Sequence, residues 1–320
     1  MGKKVLIPQF VPEVLDDYLK KAGYEPVKGS GDISEDGLIR DIKESGCEAI
    51  VARTANYTRK VIEAAKGQVK IIARYGVGLD AIDVPAATEN GIWVGFTPQA
   101  NSSTVAEHTI GLMIACAHNM GYTVSEAKKG NFNSRNDRQG QDVIGKTIGV
   151  CGFGKIGRTV GEMCAKAFSM KVLAYDPFLK PEQMPEWAEL VSWEKLFSEA
   201  DIVTCHMPLM ESTRHLIGQK EFSMMKPTAI FLNAARGGVV DERSLIRALE
   251  DKVIWGAGLD VTEAEPTEPD NPLLQMPNVT MTPHNASFTK ECYDRMAEHT
   301  AICIDDVLKG GKPTWAANRL

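Results

Sequence analysis

Short runs of β-branched and apolar residues alternate with amphipathic segments along most of this 320-residue chain. Consecutive strands that are separated by helices pair in parallel, so the alternation predicts α/β layers. The first hundred residues hold four strand candidates: Val5–Ile7, Ala49–Ala52, Val69–Ala73 and Ile92–Val94. A second series holds six: Thr147–Cys151, Lys171–Tyr175, Ile202–Cys205, Ala229–Asn233, Gly256–Asp260 and Val279–Thr282. Because a single core rarely grows beyond about 250–300 residues, we expect two domains.

Two helices and a loop are predicted outside these series. Thr104-Val105-Ala106-Glu107 has the form of a capping box and predicts a helix that runs to Ala117. The segment from Lys128 to Gly145 is polar and rich in glycine and asparagine, so it is predicted as a loop. The stretch from Lys290 to Leu308 is amphipathic and is followed by two glycines, which predicts a helix with a defined end.

Charge and cysteine content exclude several classes of protein. The chain has 36 lysines and arginines against 42 aspartates and glutamates, a net charge of −6. Without a basic stripe to neutralise phosphates, nucleic acid is not expected as a partner. The seven cysteines are odd in number and form no Cys-x-x-Cys motif, which indicates free buried thiols and no metal site.

The sequence predicts a cytoplasmic protein with no membrane partner. Only four apolar residues separate Lys4 from Gln9, too few for the core of a signal peptide. The longest apolar run, Ile110 to Ala117, is too short to span a bilayer.

A glycine-rich loop follows the first strand of the second series and leads into a helix. Its sequence is Gly152-Phe153-Gly154-Lys155-Ile156-Gly157, and Asp176 ends the next strand about 20 residues further on. The spacing of three glycines and an acid, between a strand and a helix, is typical of a dinucleotide site.

Each residue of this loop has a separate predicted task. Gly152 allows the tight turn, Gly154 lets the backbone approach a pyrophosphate, and Gly157 lets the helix pack on the strand. The N-terminus of the helix offers free N–H groups to the phosphates. Asp176 would bind the ribose hydroxyls and repel a 2′-phosphate, which favours NAD over NADP, although Lys180 lies nearby in the sequence.

Three polar residues follow later strands of the same series. Arg236 comes after Ala229–Asn233, Glu265 lies in the loop after Gly256–Asp260, and His284 follows Val279–Thr282. An arginine binds a carboxylate, and a histidine oriented by a carboxylate transfers a proton to or from a hydroxyl. Beside a nicotinamide, these residues would interconvert a 2-oxo acid and a 2-hydroxy acid.

The assignment of the histidine is not unique on spacing. The chain has six histidines, and His206 also ends a strand. His108, His118, His215 and His299 lie on or near helical stretches and are interpreted as surface or packing residues.

Nearly the whole chain resembles the D-isomer-specific 2-hydroxyacid dehydrogenase family. Within that family it is similar to the short phosphoglycerate-dehydrogenase-like branch. The resemblance rests on motifs in a fixed order: Arg74-Tyr75-Gly76-Val77-Gly78-Leu79-Asp80, Val105-Ala106-Glu107, the Gly152–Gly157 loop, His206-Met207-Pro208-Leu209 with Thr213, Asn233-Ala234-Ala235-Arg236-Gly237, Gly258-Leu259-Asp260-Val261, Glu265-Pro266 and Pro283-His284.

The resemblance implies a role for each matching residue. Arg236 would bind the substrate carboxylate and carbonyl, and Glu265 would pair with the acid/base His284. Val77 and Gly78 would offer backbone N–H groups to the substrate. The residues that would line NAD, besides the loop glycines, are Thr104, Lys155, Ile156, Asp176, His206, Pro208, Thr213, Ala234 and Asp260.

The resemblance also implies a discontinuous architecture of two doubly wound parallel-sheet domains. A Rossmann NAD domain, residues 101–287, would be inserted into a flavodoxin-like substrate domain formed by residues 1–100 and 288–320. The helix from Thr104 to Ala117 and the loop from Lys128 to Gly145 would contribute to a homodimer interface.

The substrate stays open at this point. Arg53 and Arg74 each end a strand of the first series, and one of them is a candidate to bind a second anionic group, such as the phosphate of 3-phosphohydroxypyruvate. A surface salt bridge is the alternative interpretation of both. Hydroxypyruvate and glyoxylate are the competing substrates. An alternative function is a non-catalytic NAD(H)-sensing protein of the same superfamily.

Overall fold

The computed structural model describes residues 2–320 and divides into two compact units. The first unit consists of the residues up to Asn101 together with Ser287–Leu320, and the second consists of Ser102–Ala286. Each unit is built on one parallel sheet.

The first unit alternates strands and helices from its start. Its elements before Asn101 are β1 Lys4–Ile7, α1 Val14–Lys21, β2 Glu25–Lys28, α2 Glu35–Ser45, β3 Ala49–Ala52, α3 Arg59–Ala64, β4 Ile71–Arg74, α4 Val84–Glu89 and β5 Trp93–Gly95.

The second unit begins with two helices and continues as a longer α/β series. Its elements are α5 Ser102–Ala117, α6 Met120–Lys128, β6 Thr147–Cys151, α7 Lys155–Phe168, β7 Lys171–Tyr175, β8 Ala188–Leu190, α8 Trp193–Glu199, β9 Ile202–Cys205, α9 Gln219–Met224, β10 Ile230–Asn233, α10 Glu242–Glu250, β11 Gly256–Leu259 and β12 Val279–Met281. The chain then returns to the first unit with α11, Lys290–Leu308.

The two strand orders confirm the predicted fold class. The first sheet has the order β2-β1-β3-β4-β5, which is that of flavodoxin-like folds. The second has the order β12-β11-β10-β9-β6-β7-β8, in which the first six strands of the unit follow the Rossmann order and β12 adds an edge strand. All pairings in both sheets are parallel.

Both sheets bury apolar residues on their two faces, because successive side chains of a strand point to opposite sides. In β1, Val5 and Ile7 pack in the cluster that contains the buried face of α11, whereas Leu6 packs with residues of α2 and α3. In β6, Ile148 and Val150 pack in one cluster and Cys151 in the other. The central strands are therefore continuously apolar, which is the signal that predicted them.

Two edge strands were not predicted, and the reason is the same for both. β2 contains Pro26 between charged residues, and β8 is three residues long, with no fully buried residue in either strand. An edge strand that buries little carries no strong apolar pattern.

Around α5 one local prediction was wrong and one helix was not predicted. The helix begins at Ser102, so Thr104 lies within its first turn and does not cap it. The chain also forms α6 directly after α5, where no helix was predicted, and a 3₁₀ turn at Phe132–Asn136 interrupts the predicted loop. Helix α6 buries none of its residues completely and therefore has a weak amphipathic pattern.

All seven cysteines are buried free thiols in the structure. None of the helices within residues 2–320 has both the length and the apolar composition that crossing a membrane requires.

Candidate active site

The strand order of the second unit creates a crevice at one edge of its sheet. From β6 the chain builds outward through β7 and β8 on one side and through β9 to β12 on the other. Open α/β sheets bind ligands at such a switch point, outside the carboxyl ends of the strands. Gly152 follows β6 and His206 follows β9, and the His206 N–H donates to Cys151 O at 2.8 Å.

The glycines of the loop after β6 have distinct environments. Gly152 has φ +87°, which disfavours a side chain, and a Cβ there would lie 3.0 Å from His206 O. A Cβ on Gly157 would lie 2.1 Å from Gly152 O, so only glycine permits this contact of helix and loop. A Cβ on Gly154 would meet no protein atom within 4 Å. Gly154 therefore borders open space, as expected for a position that backs onto a ligand.

Helix α7 begins at Lys155, directly after Gly154, and runs for 14 residues. Its first-turn N–H groups, including those of Lys155 and Ile156, have no acceptor within the helix and form the positive end of the helix dipole. An anion such as a pyrophosphate fits this position.

Asp176 follows β7 and is tied to the glycine loop. Its Oδ2 accepts a hydrogen bond from Phe153 N at 3.0 Å, and its Oδ1 accepts one from Phe178 N at 3.0 Å. The two bonds fix the carboxylate beside the loop while each oxygen keeps lone-pair capacity for a hydroxyl donor. This donor and acceptor set fits a dinucleotide with a free ribose diol.

His206 is held as a neutral imidazole. Its Nε2 is 3.0 Å from Thr204 Oγ1, and burial lowers the pKa of His206 to about 4. Its Nδ1 is buried and has no hydrogen-bond partner among the described residues. A buried polar atom without a partner requires an explanation, and a ligand held at this edge of the sheet is one.

Other predicted cofactor residues lie in neighbouring loops. Thr213 Oγ1 donates to Pro208 O at 2.7 Å and so closes the loop after β9. Ala234 directly follows β10, and Thr104 is buried in the first turn of α5.

The loops that carry Arg236 and Glu265 are in direct backbone contact. A Cβ on Gly237 would lie 1.9 Å from Thr262 O, so glycine is required where the loop after β10 meets the loop after β11. Arg236 Nη1 donates to Ala235 O at 2.7 Å, and Asn233 Nδ2 donates to Arg236 O at 3.0 Å. These bonds define the course of the chain around the guanidinium.

Glu265 and His284 form the predicted pair. His284 Nδ1 lies 2.7 Å from Glu265 Oε2, and the other carboxylate oxygen accepts a hydrogen bond from Thr262 N at 3.4 Å. The side chain of His284 is 49% exposed and that of Glu265 is 37% exposed. The imidazole is thus oriented through Nδ1, which leaves Nε2 for an external group.

Asp260 organises the turn that carries His284. Asp260 O accepts a hydrogen bond from His284 N at 2.8 Å, while the side chain accepts hydrogen bonds from Thr282 Oγ1, Asn285 N and Ala286 N at 2.6, 3.0 and 3.0 Å. Burial alone would raise the pKa of Asp260, but hydrogen bonds from His108, Thr282 and the two amides outweigh it and lower the pKa. Asp260 was predicted to line NAD. Its side chain is 1% exposed and holds the turn that carries His284 by hydrogen bonds.

A second histidine–glutamate pair, which sequence reasoning missed, lies in the same loop region. His215 Nε2 is 2.6 Å from Glu263 Oε1, and Glu263 stands two residues before Glu265. The backbone N–H of His215 also donates to Gly238 O at 2.9 Å. The pair joins the loops after β9 and β11, and its partners are too distant in sequence for spacing to reveal.

In the first unit, Arg53 lies against aromatic side chains. Its Nη1 donates to Phe10 O at 2.8 Å and its Nη2 donates to Tyr293 Oη at 3.1 Å. The guanidinium carbon is 5.8 Å from the Phe10 ring centroid and 5.9 Å from that of Tyr293. None of these partners is a carboxylate, so the salt bridge considered for Arg53 does not form within residues 2–320.

Arg74 has a different setting in the same unit. Its Nε donates to Gly78 O at 2.7 Å and its Nη1 lies 3.4 Å from Ala52 O. The bond to Gly78 O ties Arg74, the last residue of β4, to the loop that contains Val77 and Gly78. Arg53, the other predicted substrate residue of this unit, directly follows β3.

The contrast between two glycines of the loop after β6 gives a testable prediction. Gly157→Ala is expected to lower the free energy of unfolding by about 3 kcal/mol, because its Cβ collides with a backbone oxygen. Gly154→Ala should change stability by less than about 0.5 kcal/mol. It should weaken NADH binding about tenfold or more, because the methyl group takes up space beside the pyrophosphate.

Urea unfolding and NADH fluorescence titration measure the two effects, and each variant serves as the control for the other. Unchanged NADH affinity in Gly154→Ala would contradict the assignment of Gly154 to the pyrophosphate contact. Unchanged stability in Gly157→Ala would contradict the assignment of Gly157 to the packing of the helix on the loop.

Comparison with known proteins identifies the family of the chain. Residues 110–286 match the sequence model of the D-isomer specific 2-hydroxyacid dehydrogenase NAD binding domain. A D-3-phosphoglycerate dehydrogenase from Archaeoglobus fulgidus is 41% identical over 309 residues, which cover 96% of this chain and 58% of the relative. A hydroxypyruvate reductase from Thermotoga maritima is 40% identical over 267 residues, which cover 82% of this chain and 85% of the relative.

The similarity extends to solved structures. The crystal structure of the TT0316 protein from Thermus thermophilus has a TM-score of 0.89 and 33% identity, and the match covers 98% of this chain and 100% of that chain. The chain spans little more than half the length of the archaeal phosphoglycerate dehydrogenase, 58%. This chain belongs to the D-isomer specific 2-hydroxyacid dehydrogenase family.

Proposed function

We propose that this chain is an NAD-dependent dehydrogenase that interconverts a small 2-oxo acid and the corresponding D-2-hydroxy acid. The observation that carries the proposal is the 2.7 Å contact of His284 Nδ1 with Glu265 Oε2, on the same unit as the glycine loop. Family membership and the relatives named as dehydrogenases and reductases support the same reaction class.

The proton step of this reaction is assigned to His284. With Nδ1–H donated to Glu265, the proton on Nε2 of the imidazolium is directed outward. In the reductive direction, Nε2–H protonates the carbonyl oxygen of the substrate as the carbonyl carbon becomes tetrahedral, and the imidazole is left neutral. Bound NADH supplies the hydride that the carbonyl carbon accepts. In the oxidative direction, neutral Nε2 removes the hydroxyl proton.

Arg236 is proposed to bind the carboxylate of the substrate. A guanidinium offers a planar pair of donors that matches a carboxylate and polarises an adjacent carbonyl. The backbone N–H groups of Val77 and Gly78 donate to no protein acceptor in the described part of the chain, and from the resemblance we propose that they bind the substrate.

NAD is the cofactor expected from the residues of the loop. Asp176 is fixed beside Phe153 by its hydrogen bond, so a 2′-phosphate on the ribose would meet a carboxylate. The first turn of α7 would hold the pyrophosphate of NAD. The buried Nδ1 of His206, which has no hydrogen-bond partner among the described residues, is proposed as a further contact to NAD.

A phosphorylated acid is the proposed substrate, with hydroxypyruvate and glyoxylate as the alternatives. The support is the charge of Arg53, whose partners in the structure are a carbonyl, a phenol and two aromatic rings. A cation without an acidic partner retains its capacity to bind a phosphate. Arg74 is assigned a supporting role, because its guanidinium donates to the carbonyls of its own loop and of Ala52.

We also propose that the chain is a cytoplasmic homodimer. Exposed apolar residues of α6 and the following segment support a subunit contact there: Met120, Val124, Phe132 and Ile144. Seven free cysteines support a reducing compartment.

The reaction class is tested by following NADH oxidation with glyoxylate, pyruvate, hydroxypyruvate and 3-phosphohydroxypyruvate. We expect turnover with at least one acid, with NADH preferred over NADPH. Arg236→Gln should lower kcat/KM at least about 100-fold, because the carboxylate loses a charged partner. Tight NADH binding without turnover on any acid would contradict the proposal and favour the NAD(H)-sensing alternative.

The substrate assignment is tested with Arg53→Ala. We expect KM for 3-phosphohydroxypyruvate to rise about tenfold or more, while KM for glyoxylate, which has no second anionic group, stays within about twofold. Equal effects on both substrates would assign Arg53 a structural role. Thermal unfolding of the variant provides the control for fold integrity.

A further inference from the structure

A histidine outside the predicted site is joined by hydrogen bonds to the turn that carries His284. His108 lies on α5, and its Nε2 is 2.9 Å from Thr282 Oγ1 and 3.5 Å from Asp260 Oδ1. His108 was interpreted from the sequence as a surface or packing residue. Its side chain is 23% exposed, so most of the side chain is buried.

The directions of these hydrogen bonds follow from the number of protons available. Thr282 has a single hydroxyl proton, which it donates to Asp260 Oδ1 at 2.6 Å. Its oxygen can then only accept from His108, so His108 Nε2 carries a proton in both the neutral and the charged imidazole. The chain of donors runs from His108 through Thr282 to Asp260.

Asp260 carries this connection to the backbone beside His284. Its carboxylate oxygens accept the N–H groups of Asn285 and Ala286, each at 3.0 Å. Its carbonyl accepts the N–H of His284, which has φ +49°. A histidine in the left-handed region costs free energy and persists only where the surroundings determine it. The hydrogen bonds of Asp260 to the N–H groups of His284, Asn285 and Ala286 hold the backbone in this conformation.

We propose that His108 is a positioning residue for His284, acting through Thr282 and Asp260 on the turn at Asn285 and Ala286. The inference rests on the proposed function in one respect, that His284 is the acid/base. The physical reason is that a buried carboxylate needs all of its donors to keep one orientation. Without His108, Thr282 loses the donor that fixes its hydroxyl, and Asp260 loses a directed partner.

Three variants test the proposal. His108→Leu removes the donor at similar size, whereas His108→Gln keeps an amide N–H where Nε2 stands. His118→Leu, an exposed histidine just after the same helix, is the matched control because no hydrogen bond links it to the turn within residues 2–320.

Two readouts are compared, one of which does not depend on activity. Hydrogen exchange of the amides of Asn285 and Ala286 should be about tenfold faster in His108→Leu and unchanged in His108→Gln and His118→Leu. In the enzyme assay, His108→Leu should lower kcat about tenfold with KM and NADH affinity unchanged, and His108→Gln should restore kcat to within about twofold of the wild type.

Unchanged amide exchange in His108→Leu, or a loss of kcat in His108→Gln as large as that in His108→Leu, would overturn the proposal. If His108→Leu does not fold, Thr282→Val breaks the same connection at its centre and is expected to speed exchange at the same two amides; no change there would also overturn it. A wild-type protein that turns over none of the acids would contradict the proposed function, while the exchange comparison would still decide the link from His108.

Discussion

The parallel pairing of β6 with β9 is the constraint on which the candidate site depends. Because both strands point in the same direction, their carboxyl ends meet at one edge, and the loops that follow them must occupy the same crevice. The close packing of Gly157 on Gly152 O then fixes where α7 begins. This places the free N–H groups of the helix at the crevice, where an anion can be bound.

The same edge also holds the His284–Glu265 pair, which is positioned by different contacts. His284 is placed by a turn with a left-handed backbone and by a buried carboxylate that accepts hydrogen bonds from two following amides. Glu265 is placed by the loop that packs directly on Gly237. The orientation of the His284 imidazole therefore depends on backbone contacts among three loops as well as on the Glu265 carboxylate.

Sequence reasoning predicted the parts of this molecule that have local or periodic signals. The central strands were predicted because both of their faces are apolar, and the glycine loop because its glycines and Asp176 stand at a fixed spacing. The edge strands β2 and β8 and the exposed helix α6 were missed because they bury too little to show a pattern.

The site was predictable only in part for a related reason. Spacing placed Arg236, Glu265 and His284 at one sheet edge and their chemistry suggested their roles, but only the resemblance selected His284 over His206. The His215–Glu263 pair and the contact of His108 with Thr282 join residues that are 48 and 174 positions apart. Only the folded chain brings such residues together, so no motif could reveal them.

The presence of two histidine–glutamate pairs makes one measurement decisive for the identity of the acid/base. The rate of NADH oxidation with a saturating 2-oxo acid should be compared for His284→Asn and His215→Asn. If His284 transfers the proton, His284→Asn lowers kcat by about a thousandfold, since general acid catalysis is lost, and His215→Asn keeps kcat within about tenfold of the wild type. Loss of turnover in His215→Asn with activity retained in His284→Asn would contradict the account.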